Sequence, residues 1–304
     1  MATITRRQCL TGFLLGALGS GQSAFAQPVS GGYPSRIFAA EWARAETLVA
    51  IGMPPVATGD AYQMQGGAAD GFSDILKIGS IFAPNLEELQ RLKPDLILCA
   101  DWQARLLPDF QRIAPTHVFD LRNPPSHILQ NAIGLVRDIG NLVSRPAQSV
   151  AYIDQAEADF DAIRRRLERR AAEAVLIGTL EPDGRHLAVY ETNNLLVDTM
   201  RHVGVGNAWK GAVASPWGIA LQGVEILADY PDATFLYLDT GPRSATALRL
   251  LQESTLWQSL PIVQSGRVRP IPFAWPFGGV PTALKFAETL AVALNPSSRV
   301  HGSG

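Results

Sequence analysis

Cysteine is nearly absent from this chain. Cys9 and Cys99 are the only two in 304 residues, too few for a disulfide framework or a cysteine-built metal site. Cys99 lies in Leu96-Ile97-Leu98-Cys99-Ala100, where it reads as a small buried residue at a strand end. The five histidines (His117, His127, His186, His202 and His301) show no i,i+3 or i,i+4 pairing, so no metal ligand is assigned. Beyond the amino end no stretch approaches about 18 uninterrupted apolar residues, which excludes a membrane-spanning helix from the mature chain. No basic block is present either, which argues against nucleic acid and against an anionic membrane surface. G-x-S-x-G, the P-loop and H-E-x-x-H are all missing, and Gly204-Val205-Gly206 lacks the third glycine of a dinucleotide fingerprint. Asp101, Glu191 and Asp239 stand near expected strand ends without an acid–base partner by spacing. No catalytic residue is assigned.

The amino end carries a recognisable pattern. Thr5-Arg6-Arg7-Gln8-Cys9-Leu10 gives a paired-arginine head, Leu10 to Leu18 a short apolar run, and Ala24-Phe25-Ala26 a small-x-small cleavage site. Residues 1–26 are therefore read as a cleaved export signal. The paired arginines point to the twin-arginine route, with the general secretory route as the alternative. Cleavage removes two arginines and leaves 24 basic against 28 acidic residues, a mildly acidic mature chain.

The middle of the chain organises the rest. From Ser144 to Arg170, Val150, Ile153, Ala156, Phe160, Ile163 and Leu167 recur at steps of three and four, with charged residues between them. Ser144 suits an N-cap, Pro146 the first turn, and the arginines around 164–170 the carboxyl end. The spacing predicts one helix of about 25 residues, roughly 37 Å long, between two flanks of mixed apolar and turn-forming sequence. Each flank contains a helix-then-strand unit broken by Pro-Asp, at Pro84–Leu98 and at Gly223–Tyr237. The expected fold is α/β: a lobe over residues 36–143, a linking helix over 144–170, a second lobe over 171–295, and a disordered tail over 296–304. Strands alternating with helices imply mostly parallel sheets covered on both faces.

In such sheets a ligand sits beyond the carboxyl ends of the strands. Those ends carry Glu41-Trp42, Asp60-Ala61-Tyr62 and Asp101-Trp102, with Arg105 nearby. Trp42 suits the core at the start of its helix, with a cleft position the alternative. Trp102 directly follows a strand, which favours a cleft. In the second flank Trp217, and Trp275 with Phe277, sit in loops beside Pro and Gly, where large aromatics are seldom hidden. Two such loops facing Trp102 make a ligand-contacting role the better reading of the set.

Several stretches in chain order resemble the periplasmic ferric-siderophore binding proteins of ABC importers, in particular the ferric-hydroxamate (FhuD-like) branch. They are Ala40-Glu41-Trp42, Pro84-Asn85-Leu86-Glu87 with Leu92-Lys93-Pro94, Asn207-Ala208-Trp209, Ser215-Pro216-Trp217-Gly218, Leu256-Trp257-Gln258 and Gly266-Arg267-Val268. The resemblance implies a class III periplasmic binding protein-like fold, two α/β lobes joined by one long α-helix. It also implies a shallow aromatic cleft for an iron chelate, with Trp42, Tyr62, Trp102, Arg105, Trp217, Trp275 and Phe277 as the ligand-binding set. The siderophore would fill the iron's own coordination positions, so no protein-bound metal or cofactor is expected, and ferric iron enters only inside the ligand. The implied partners are a ferric siderophore and an inner-membrane ABC permease. Glu87 and Glu225, matched in the two helix-strand units, are the permease-docking residues, although an acidic first turn also satisfies a helix dipole. A monomer in the periplasm is expected. Cobalamin or haem binding on the same fold is the alternative, and an enzyme acting on an iron chelate the alternative of another class.

The resemblance breaks at Ile81. The branch carries an arginine three residues before the Pro84-Asn85 pair, donating to hydroxamate oxygens, and an aliphatic side chain cannot donate. Arg105 is the nearest substitute by sequence. An aromatic expected around Gln63 to Gly67 is missing as well.

Overall fold

The computed structural model describes residues 33–60, 75–168 and 173–295. The export signal, Tyr62, Arg169 and Arg170, and the tail from 296 lie outside the described residues.

The first sheet is built from β1 (Ile37–Ala39), β2 (Ala57–Asp60), β3 (Leu76–Ser80), β4 (Ala83–Pro84), β5 (Leu96–Ala100) and β6 (Thr116–Phe119), in the order β4-β3-β2-β1-β5-β6. All pairs are parallel except β3 with β4. Its helices are α1 (Trp42–Ala50), α2 (Leu86–Leu92), α3 (Leu107–Ile113) and α4 (Ile128–Leu142). Every residue of β1 and β5 is buried, as expected for central parallel strands covered on both faces. The side chain of Glu41 caps α1 by accepting from the Ala43 and Arg44 amides, and Asn85 caps α2 through the Glu88 amide.

Helix α5 (Pro146–Leu167) follows, 22 residues and about 33 Å long. The buried stripe matches the expected one except at its start. Val150 is 52% exposed, and Ser149 is buried in its place. Ser149 lies against Gly140 of α4, where an added Cβ would sit 1.7 Å from its Oγ, so two small residues let the helices meet closely. Ser144 is not the N-cap either. It adopts a positive φ of 57° after α4, and Arg145 holds the cap position without a side-chain bond.

The second sheet contains β7 (Ala174–Leu180), β8 (His186–Tyr190), β9 (Gly206–Asn207), β10 (Ile219–Gly223), β11 (Thr234–Asp239) and β12 (Val268–Pro272), with the path β10-β8-β7-β11-β12 and β9 on β7. β7 and β8 form an antiparallel hairpin, and β11 runs parallel to both β7 and β12. Its helices are α6 (Leu195–His202), α7 (Pro242–Gln252), α8 (Thr255–Ser259), α9 (Pro261–Gln264) and α10 (Val280–Leu294). β10, to which the sequence assigns no element, is an edge strand antiparallel to β8, whose mixed burial gives no alternating signal. One expectation changes here. The unit opening at Gly223 is a six-residue 3-10 turn, Val224–Asp229, rather than an α-helix, cut short by Pro231.

The lobes are not held by α5 alone. One continuous core runs through α1, α4, α5, α6 and α10 and includes Ile37 and Leu98 of the first sheet with Ile177 and Leu238 of the second. Separate clusters cover the outer face of each sheet, one around Phe38 and Phe110 and one around Phe235 and Trp257. Because helices of both lobes share one apolar core, hinge bending would expose it. The architecture is a stiff one.

Candidate functional site

The carboxyl ends of β1, β3 and β5 converge on one side of the inter-lobe gap. Gln103 ties them together: its Nε2 donates to the carbonyls of Ala40 (3.1 Å) and Ile81 (2.8 Å), and its Oε1 accepts from the Ala100 amide (3.0 Å). This holds Glu41-Trp42, Ile81-Phe82 and Asp101-Trp102 side by side. From the other lobe come the loop before β10, with Trp217, and the loop after β12, with Trp275 and Phe277. The Trp217 loop is pinned from beneath. Buried Glu191 accepts from the amides of Ala214 (2.7 Å) and Ser215 (3.3 Å), and Asn193 donates to the Ser215 carbonyl (2.9 Å). Gly218 has φ +67° and passes so close to Asn193 that a Cβ would meet its carbonyl oxygen at 2.7 Å, so only glycine suits the turn after Trp217.

Between these loops lies a cavity of about 360 Å³ lined by Trp42, Ile81, Phe82, Trp102, Trp217, Ile219, Trp275 and Phe277, with Glu41 and Ser215. The rings form a chain across the gap. Phe82 and Trp102 are 5.3 Å apart, Trp102 and Trp217 6.3 Å, Trp217 and Phe277 5.6 Å, and Phe277 and Trp275 5.2 Å, most of them edge to face. Trp217 remains 40% and Phe82 56% exposed, uncommon for such large apolar side chains in a well-packed lobe. A larger hollow of about 670 Å³ lies between β12 and α10, but it contains no aromatic residue.

The structure thus brings Trp42, Trp102, Trp217, Trp275 and Phe277 to one cavity. Trp42 combines both readings open to it, 6% exposed in the core yet lining the cavity. Arg105 is not among the lining residues. One turn beyond Trp102, it donates to the Phe82 carbonyl at 2.5 Å, so its contact is with the backbone of the rim. Sequence reading missed Phe82 and Arg122. Arg122 follows β6, its guanidinium lies 4.2 Å from the Trp217 ring centre, and it donates to Asp101 at 2.8 Å. Position beyond a strand end was the signal that could have found it. Glu87 and Glu225 are both exposed, Glu87 in a surface pair with Arg91 at 2.8 Å. Among the described residues no group of three His, Cys, Asp or Glu side chains could hold a metal ion.

Glu46 couples the cavity wall to the opposite lobe. Buried in α1, it accepts at Oε2 from Trp42 Nε1 (3.2 Å) and Thr282 Oγ1 (2.7 Å), and at Oε1 from the Gly279 amide. Burial, reinforced by nearby Glu41, pushes its pKa up from 4.5 to about 7 despite those donors. The folded chain therefore holds a proton that the unfolded chain releases above its ordinary carboxyl range. This contribution to stability is complete below pH 4.5 and is lost as pH rises through about 7. Glu46→Gln is expected to remove that slope, worth about 3 kcal/mol at most between those limits. Urea unfolding of both proteins at pH 5 and pH 8 checks this, and parallel pH profiles would contradict it.

Two α/β lobes, a long joining helix and an open aromatic cleft between them define the class III solute-binding architecture. The chain belongs to the periplasmic binding protein family, which it matches over residues 37–274. It is 29% identical over 299 residues to the iron(3+)-hydroxamate-binding protein FhuD of Escherichia coli K12, covering 96% of this chain and 97% of that protein. It is 27% identical to the ferric-anguibactin-binding protein FatB of Vibrio anguillarum over 106 residues, 34% of this chain and 33% of that one. Among solved structures it is similar to the siderophore-binding protein FhuD of Vibrio cholerae bound to Fe3+–Desferal. The TM-score is 0.76 at 24% identity, over 86% of this chain and 97% of that one.

Proposed function

We propose that this chain is an exported periplasmic binding protein that captures a ferric siderophore of hydroxamate type and delivers it, as a monomer, to an inner-membrane ABC importer. The observation that carries this reading is the run of aromatic rings from both lobes around a cavity of about 360 Å³. A ferric siderophore supplies all of its iron's ligands, so its carrier has to offer apolar faces and a few donors, which is what this cavity contains. Iron is cargo here, and the reading needs no protein cofactor. The names of the Escherichia coli and Vibrio cholerae relatives, an iron(3+)-hydroxamate-binding protein and a protein holding Fe3+–Desferal, support the hydroxamate class. The paired-arginine leader supports export. Exposed Glu87 and Glu225 serve as carboxylates for the permease. The surface pair of Glu87 with Arg91 is weak enough to exchange for a partner's cation.

Titration with ferrichrome, ferrioxamine, a ferric catecholate, haem and cobalamin, followed by tryptophan emission, tests the reading. Saturable quenching is expected, tightest with the hydroxamates, and the chelate should be recovered with its mass unchanged. Preference for haem or cobalamin would overturn the ligand class, and a cleaved chelate would make the protein an enzyme.

A further inference from the structure

Beside the aromatic cavity lies a smaller hollow of about 40 Å³, which shares Glu41, Trp102, Trp217 and Phe277 with it. Its remaining wall is mixed, with Arg44, Asp101, Arg122, Asn193 and Asn194 beside apolar Leu121, Ile128, Leu195 and Pro276. Three of these side chains carry a buried atom without a hydrogen-bond partner: Arg44 Nε, Asn193 Oδ1 and Asn194 Nδ2. The three residues are 2%, 8% and 1% exposed. Native interiors seldom leave such atoms unpaired. A hollow of this size has room for a water or a small polar group beside these residues.

The open positions are unequal in kind. Arg44 Nε and Asn194 Nδ2 offer N–H groups, and so does Arg122, whose one side-chain hydrogen bond among the described residues is to Asp101. Asn193 Oδ1 is the one open acceptor among these. The carboxylate of Glu41 is engaged by Arg44 at 2.6 Å and by two amides of α1. A group rich in acceptor oxygens fits this balance, whereas an ammonium would face more donors than acceptors. On the reading that the cleft holds a ferric siderophore, we infer that the hollow is a second subsite for a carboxylate-bearing arm of the chelate, selected by Arg122. The guanidinium already lies over Trp217, so an entering carboxylate would compete with Asp101 for N–H groups while the cation stays on the ring.

The test uses one linear ferric trihydroxamate with its terminal amine either acetylated, and so neutral, or succinylated, and so ending in a carboxylate. The full-length mature protein should bind the succinylated chelate roughly tenfold tighter. Arg122→Met should bring the two affinities together, and Asp101→Asn, which removes the competing carboxylate, should widen the gap. Both positions are partly exposed, and circular dichroism confirms that the variants fold. Equal affinity in the parent, or a preference unchanged in Arg122→Met, would overturn the subsite while leaving the cleft assignment standing. Failure of both chelates to bind would overturn the cleft assignment, and the subsite with it.

Discussion

Trp217→Ala is expected to weaken ferric trihydroxamate binding by roughly thirtyfold, the loss typical of a central aromatic anchor worth about 2 kcal/mol. The indole stands at the middle of the cavity, 6.3 Å from Trp102 of the opposite lobe and 5.6 Å from Phe277. It also carries the Arg122 guanidinium at 4.2 Å, so its removal disturbs the donor wall as well as the apolar one. Stability should fall by less than about 1 kcal/mol, because the ring is 40% exposed and its loop is held by Glu191, Asn193 and Gly218 rather than by the indole. Fluorescence titration and urea unfolding of the same preparation check both halves. A large stability loss with unaltered affinity would place Trp217 in a core instead.

Phe160→Ala should do the opposite. Phe160 is fully buried on α5, in edge-to-face contact with His202 at 4.9 Å, within the core shared by both lobes. Truncating a buried phenylalanine costs about 3–5 kcal/mol through lost burial and the cavity left behind. Because the core continues from the first sheet to the second, the loss should appear as one earlier transition across the whole molecule. Near-UV circular dichroism and fluorescence should move together in urea. Separate transitions would show that the lobes unfold independently and that the shared core is not a cooperative unit.

The sequence made the stiff helix and its stripe legible, since six positions at helical spacing leave few alternatives. It showed the strand ends too, and through them Trp102 and the neighbourhood of Trp42. Aromatics beside Pro and Gly marked Trp217, Trp275 and Phe277. What it concealed depends on contacts between distant segments. Ser149 displaces Val150 only because Gly140 of a neighbouring helix comes close. Arg122 matters through Asp101 and Trp217, neither of which any local pattern joins to it. Arg105 was named because it stands near Trp102, yet one further turn directs it to the Phe82 carbonyl. The single core linking the lobes was equally hidden, because each helix shows its apolar face but not the partner that covers it.

Ile81 gains a physical meaning in this setting. It is 6% exposed and forms part of the aromatic cavity wall, where Gln103 holds its carbonyl. On the proposed reading the cationic donor is instead Arg122, which lines the adjoining hollow beyond β6. The chelate would meet an apolar floor and a charged flank.

The most direct measurement is an anomalous difference map, recorded at the iron absorption edge from crystals soaked with a ferric trihydroxamate. One iron peak is expected in the cavity, with Trp102 on one side and Trp217, Trp275 and Phe277 on the other. A peak in the hollow between β12 and α10, or no peak in the cleft despite stoichiometric binding in solution, would contradict it.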